Sequence, residues 1–374
     1  MRCRWPLLLP LVLAACAAPR PAARPDAVRF AVDSVATGTA ARLIGLDAAS
    51  DGTVWAAGSG GTWARSLDGG RSWTTGTVPD ADTLQFRDVH AFDALRAVLL
   101  SIGPGTASRV YTTDDGGASW ALRWTNPDPR AFYDCMAFDG TTGFAFSDAV
   151  PLGTGGAYRL PMVASADGGR SWRDATDERS FDVPEGTGAF ASSGTCAVSI
   201  DGRTLLATNH ATGDAPAANV SVWAGNGPWK TMALPFALPD AMRGVATLAV
   251  QGDAVFAGLL GAVDGRMLYR ADRSLALGGV ARVTVRVPTA RGTEQATAAT
   301  WTALPPLPIQ HVYGLAASPK ALVATGPDGL AASPDRGRTW RLLTRADLWS
   351  AVRVDDRTFV AVGRGGRAVR IAVE

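Results

Sequence analysis

The sequence predicts an all-β chain, a seven-bladed β-propeller of four-stranded antiparallel blades whose ring is closed by an N-terminal strand pairing with the C-terminal blade. Three observations predict it. A motif of Ser or Thr, any residue, Asp, any residue, Gly, any residue, Ser or Thr, and Trp occurs four times: Ser66–Trp73, Thr113–Trp120, Ser165–Trp172 and Ser333–Trp340. Trp73 and Trp120 are 47 residues apart, and Trp120 and Trp172 are 52 apart; periods of about 40–50 residues with strand-like content mark propeller blades. Between the motifs, short apolar–polar alternations are broken by Gly- and Asp-bearing turns, with no sustained helical period.

The motif has a mechanical sense. Its Asp (Asp68, Asp115, Asp167, Asp335) folds back onto the N–H groups of a tight turn, and its Gly supplies positive φ without strain. The short hydroxyl adds a local bond. The Trp (Trp73, Trp120, Trp172, Trp340) begins a strand and buries a large ring. These eight residues are assigned to structure.

The 168 residues from Trp172 to Trp340 hold further blades whose motifs have decayed. Val220–Trp223 followed by Gly225-Asn226-Gly227 and Trp229 is one remnant; Tyr269–Asp272 followed by Trp301 is another. Six blades are thus marked by Trp. The seventh is assembled from Trp349–Val354, Phe359–Gly363 and Ala368–Val373 together with the alternating segment Val28–Val35, a pairing that leaves no exposed sheet edge. The count rises to eight if the Trp229–Trp301 interval holds two blades.

The chain start reads differently. Arg2 and Arg4 flank a short apolar run from Trp5 to Leu13, too short to span a bilayer, and Leu13-Ala14-Ala15-Cys16 has the pattern of a bacterial lipobox. Residues 1–16 are expected to be a lipoprotein signal peptide with Cys16 the lipidated residue. Residues 17–27 are an Ala/Pro/Arg tether and 28–374 the propeller. The expected location is the bacterial cell envelope, at the periplasmic face of the outer membrane, with the lipid at Cys16 as the membrane contact.

With 36 Lys and Arg against 34 Asp and Glu, the chain carries a formal charge of +2 and no clustered basic run, which gives no electrostatic case for nucleic acid. Beyond Cys3 and Cys16 only Cys135 and Cys196 remain. Both sit in apolar strand-like runs; two separate buried thiols are the expectation, with a disulfide as the alternative. The three His (His90, His210, His311) have no metal-ligand spacing, so no metal is expected. Gly58-Ser59-Gly60-Gly61 has no following helix, so no nucleotide cofactor is expected either.

Aligning the innermost strands brings Arg87, Tyr133, Asp134, Glu185, Arg243, His311 and Trp349 to one mouth of the ring. Arg and aromatic side chains from several blades at one rim form a candidate binding site. Asp88, Asp134 and Asp148 are the carboxylates that could act as acid and base there.

The four motifs resemble the BNR or Asp-box repeat of sialidases, sortilins and photosystem II stability factors. Phe86–Val89, Phe132–Phe138, Gly143–Asp148 and Gly188–Thr195 further resemble bacterial propellers related to the photosystem II stability and assembly factors. That resemblance implies a non-catalytic module that binds an envelope protein or glycan. The sialidase side of it implies, as the alternative, a glycan-active hydrolase using Asp residues at the mouth. The sialidase Arg-Ile-Pro signature is absent, and the chain's four Glu (Glu178, Glu185, Glu294, Glu374) leave few partners to activate a Tyr nucleophile.

Overall fold

A computed structural model describes residues 28–374 except 152–156, 211–216, 238–243, 264–265, 273–283, 290–291 and 298–300. The expected leader, Cys16 and the tether lie outside the described residues, as does Arg243. Within them the chain is all but wholly β, a propeller of antiparallel sheets.

Each motif hairpin sits where its chemistry requires. Ser66 Oγ donates to Asp68 Oδ1 (2.8 Å) and accepts from Gly70 N–H (2.8 Å), while Asp68 accepts from Ser72 N–H (2.9 Å) and Ser72 Oγ (2.6 Å). The same four bonds recur around Asp115, Asp167 and Asp335. These donors hold the Asp68, Asp115 and Asp167 carboxyls down to about 2 and lower that of Asp335, more than offsetting such burial as they have. The strand after each of Trp73, Trp120, Trp172, Trp229, Trp301 and Trp340 begins at the next residue.

The motif also does something a single hairpin cannot reveal. Its Gly backs onto the preceding sheet. A β-carbon on Gly70 would lie 2.5 Å from Val360, on Gly117 2.6 Å from Trp63, on Gly169 2.8 Å from Val98, and on Gly337 2.6 Å from Leu304. The Trp follows it: Trp120 meets the Trp55 ring edge-on at 6.1 Å, and Trp172 shares a core with Val98 and Leu100. The motif joins neighbouring sheets as well as closing its own turn.

Ring closure is direct. Phe30–Ala36 pairs antiparallel with Arg367–Val373, from Phe30 opposite Val373 to Ala36 opposite Arg367.

The expected count of seven is corrected. Among the described residues there are eight sheets of three or more strands: six of four strands, one of five and one of three. The three-stranded sheet, Val150–Pro151, Tyr158–Arg159 and Asp182–Val183, is built largely from chain inserted between the second and third strands of the sheet that ends at Trp172. It carries no Trp hairpin, so a count made on Trp residues passes over it.

A second correction concerns the cysteines. Cys135 and Cys196 form a disulfide with their Cα atoms 6.0 Å apart, not two separate thiols. They stand 61 positions apart in sequence, and the packing of strand Ala197–Ile200 beside Tyr133–Asp139 brings them together.

Candidate functional site

The innermost strands share a local irregularity that builds the mouth. In Leu43–Ala48, Gln85–Ala91, Tyr133–Asp139, Val245–Gln251 and Leu348–Arg353 the pairing register slips near the strand start, at Ile44, Arg87, Asp134, Ala246 and Trp349. A bulge turns one side chain out of the pleat and re-aims it. Three of the five bulged residues, Arg87, Asp134 and Trp349, line one cavity of about 330 Å³. Tyr313, just before Gly314–Ala317, stands in the same place in its own sheet and lines it too.

The floor is the segment around residues 189–192. The innermost strand of the five-stranded sheet is interrupted between Thr187–Gly188 and Ala197–Ile200, and the chain between them crosses toward the other sheets. Ser192 Oγ donates to Tyr313 O (3.4 Å), Ser350 Oγ donates to Ser193 O (3.3 Å), and Gly194 lies against the Asp88 carboxyl. Residues 189–196 are therefore a crossing segment. Ala197–Ile200 supplies the inner strand instead.

The side chains around the cavity form two groups. On one side Trp349 carries two guanidinium groups over its ring, Arg42 at 5.1 Å and Arg87 at 5.9 Å, and meets Tyr313 edge-on at 4.9 Å. Trp349 Nε1 donates to Asp347 Oδ1 (2.9 Å), which fixes the ring, and Arg87 donates to Ala191 O (3.1 Å). Burial and the charge of Arg42 both lower the Arg87 guanidinium, against a smaller opposing pull from Asp134. On the other side are Asp134, 2% exposed, and Asp148. Burial raises both carboxyls; Asp148 raises Asp134 further, whereas the bond it receives from Asp134 lowers Asp148. Asp148 also accepts from Ala189 N–H (3.1 Å). The cavity lining therefore carries one guanidinium, Arg87, against a buried carboxyl pair, with Arg42 packed on the same Trp349 ring outside the lining.

The other sequence candidates fall elsewhere. Tyr133 is buried at 4% exposure against Trp124 (4.7 Å), in the core between two sheets, where burial raises its hydroxyl. Glu185 accepts from Tyr158 Oη (2.6 Å) beside the three-stranded sheet. His311 pairs with Asp328 (3.2 Å), below Tyr313 and outside the cavity lining. Asp88 is buried and accepts from Met136 N–H (2.7 Å), tying its strand to the next; burial raises its carboxyl. Tyr313, Phe132 and Phe190 line the cavity without having been singled out. A signal exists for Tyr313. Like Arg87, Asp134 and Trp349, it directly follows a large apolar residue (Val312, Phe86, Tyr133, Leu348) at a strand start.

Among the described residues no cluster of three or more His, Cys, Asp or Glu could hold a metal ion, and no helix is long and apolar enough to cross a membrane. The arrangement can bind; it places Arg87 and two aromatic rings on one wall and a buried carboxyl pair on the other. Asp134 and Asp148 are in contact, whereas a glycosidase pair stands roughly 5–10 Å apart across a substrate.

Fold and mouth together define a propeller with an open, arginine- and aromatic-bearing cavity at one end of its ring. No family model matches the chain, and no curated protein matches it in sequence. Solved structures do. YCF48 bound to a D1 peptide superposes with a TM-score of 0.59 at 15% identity, covering 92% of this chain and 97% of that one. YCF48 from Cyanidioschyzon merolae gives 0.58 at 14% identity, covering 91% and 99%. The WD40 domain of Neurospora crassa Pan2 gives 0.52 at 10% identity, covering 91% and 93%. At these identities the likeness is one of fold.

Proposed function

We propose that this protein is a binding and assembly module that takes an extended segment of another protein at the mouth cavity. One observation carries the reading: Arg87 and Arg42 converge on the face of Trp349, beside Tyr313, at an open cavity of about 330 Å³. Arg and large aromatic side chains are the types that dominate binding energy in partly desolvated patches. Burial disfavours the charged forms of Asp134 and Asp148 while Arg87 stays cationic, so the wall favours a segment bearing a carboxylate, from a Glu or Asp side chain or a chain terminus. The solved complex of YCF48 with a D1 peptide supports a peptide as the kind of ligand a propeller of this shape takes.

The finer assignments belong to the same proposal. The four hairpins support reading the chain as an Asp-box repeat propeller, and the Leu13–Cys16 pattern supports a lipid anchor at Cys16 in the bacterial cell envelope, where the partner is an envelope protein or glycan. A peptide array presenting acidic, neutral and amidated ends to the purified propeller tests the binding reading. Acidic peptides should be retained by the wild type and released by Arg87→Ala and Trp349→Ala. Equal retention by all three proteins overturns it. Turnover of a glycoside lost in Asp134→Asn would favour a hydrolase instead.

A further inference from the structure

The cleft between the sheets ending at Trp172 and Trp229 differs from its counterpart one sheet earlier. Gly143 stands opposite Ser165 as Ala97 stands opposite Thr113, so the two positions are equivalent. At the Ala97 position the next hairpin fills the space: Gly168 and Arg170 close over it, Arg170 pairs with Asp114 at 2.5 Å, and the remaining volume is about 10 Å³. At the Gly143 position the volume is about 270 Å³.

The sequence explains the opening. In the hairpin from Trp223 to Trp229 the motif's Ser is replaced by Trp223 and its Asp by Gly225, and the turn is one residue shorter than from Ser165 to Trp172. No residue equivalent to Arg170 reaches across. Two other arginines border the space. Arg179 lies over the Trp223 ring at 4.9 Å, and Trp223 stacks in turn near Trp229 at 6.3 Å. Arg203 lines the same cleft with its Nε buried and without a hydrogen-bond partner.

Among the described residues neither arginine forms an ion pair, although the nearby Glu178 charge favours the Arg179 guanidinium. The nearby acids are engaged otherwise: Asp139 Oδ2 accepts from Gly202 N–H (2.6 Å), and Glu178 takes Arg173 through two bonds of 2.6 and 2.8 Å. Buried polar groups in folded proteins are nearly always bonded, so an open cleft holding a buried, unbonded guanidinium N–H is short of an acceptor.

We propose that this cleft is a second binding site, separate from the mouth, for a small carboxylate held by Arg179 and Arg203. The carboxylate supplies the acceptor that Arg203 Nε lacks, and guanidinium groups match its two oxygens in geometry and charge. Phe144 offers an apolar wall for the rest of the ligand.

Glucuronate is a suitable probe, with glucose as its neutral counterpart and inorganic sulfate as a non-carboxylate anion. Titration followed by calorimetry should show saturable binding of glucuronate and none of glucose, weakened at least tenfold by Arg203→Met and by Arg179→Met. The mouth variant Arg87→Ala should bind glucuronate as the wild type does, so this site and the peptide-binding reading fail separately. In the wild type, glucuronate should slow phenylglyoxal modification of Arg203 and Arg179, read by peptide mass spectrometry. No saturable binding, no protection, or equal affinity for sulfate would each overturn the proposal.

Discussion

Gly117 in the second motif hairpin stands so close to the Trp63 ring of the preceding sheet that a β-carbon there would lie 2.6 Å from it, at a backbone φ of +90°. The motif's glycine is fixed twice, by conformation and by its neighbour. Gly140 has a positive φ of +58° and nothing within 4 Å. Gly117→Ala should therefore cost about 2–4 kcal/mol, strain plus overpacking, and Gly140→Ala about 1 kcal/mol from strain alone. Urea unfolding of both variants decides; equal costs would mean that the contact with Trp63 does not matter.

The motif aspartates should shape the acid limb of stability. Their carboxyls sit at about 2 in the folded chain for Asp68, Asp115 and Asp167, below the ordinary 3.8. A lowered carboxyl contributes stability that is present above its unfolded pKa and lost as pH falls through the folded one. Melting temperature should drop between pH 4 and pH 2, and drop less steeply in Asp167→Ala. That variant should itself lose about 1–2 kcal/mol at neutral pH with its turn bonds. A parallel acid limb in wild type and variant would show that these carboxyls do not set it.

Asp134 should act in the opposite sense. Its raised carboxyl favours the folded state at low pH and withdraws that support as pH climbs from about 4, the unfolded value being near 3.8. Asn at this position keeps a donor toward Asp148 and cannot ionise. Asp134→Asn should melt higher than the wild type at pH 8, with the gap narrowing toward pH 5. A wild type more stable than the variant at pH 8 would show that Asp134 is ionised in the folded chain.

The Cys135–Cys196 bridge closes a loop of sequence separation 61. Replacing both residues by Ala should lower stability by about 2–4 kcal/mol, and reduction of the wild type should have a comparable effect. Thermal melts with and without reductant, alongside the double variant, provide the check. A wild type insensitive to reductant would mean that the bridge contributes nothing.

Lipidation is read at the N-terminus of the mature protein. Mass spectrometry should find a diacyl- or triacylated Cys16, and Cys16→Ser should leave precursor or a soluble form. An unmodified N-terminus beginning at Ala17 would overturn the anchor.

Much of this fold was legible because its markers are local. The motif's hydroxyl, Asp, Gly and Trp act within eight residues, and every Trp used to count sheets precedes an outer strand. The sheet of Val150–Pro151, Tyr158–Arg159 and Asp182–Val183 has two-residue strands and no marker, so nothing local announces it. Gly188–Thr195 has the apolar content of a strand, and its departure across the ring depends on partners such as Tyr313 and Ser350, far away in sequence. The mouth was half legible for the same reason. Arg87, Asp134 and Trp349 were singled out, but which residue faces the cavity is decided by a bulge. A bulge is a property of two strands and is not visible in one. Tyr133, one residue before the bulge, goes into the core; Tyr313, two residues beyond His311, is the ring that arrives.

The pairing of Phe30–Ala36 with Arg367–Val373 also sets an order in time. As the chain emerges from a ribosome or a translocation pore, each motif hairpin can form once its few residues are out. Phe30–Ala36 waits for Arg367–Val373. Until Val373 is released, Phe30 has no partner, and the strands of the final sheet lie open to pairing with another chain. Proteolytic loss of Arg367–Val373 would therefore not trim the ring but unlatch it. A nascent copy stays open at this seam until Arg367–Val373 has emerged.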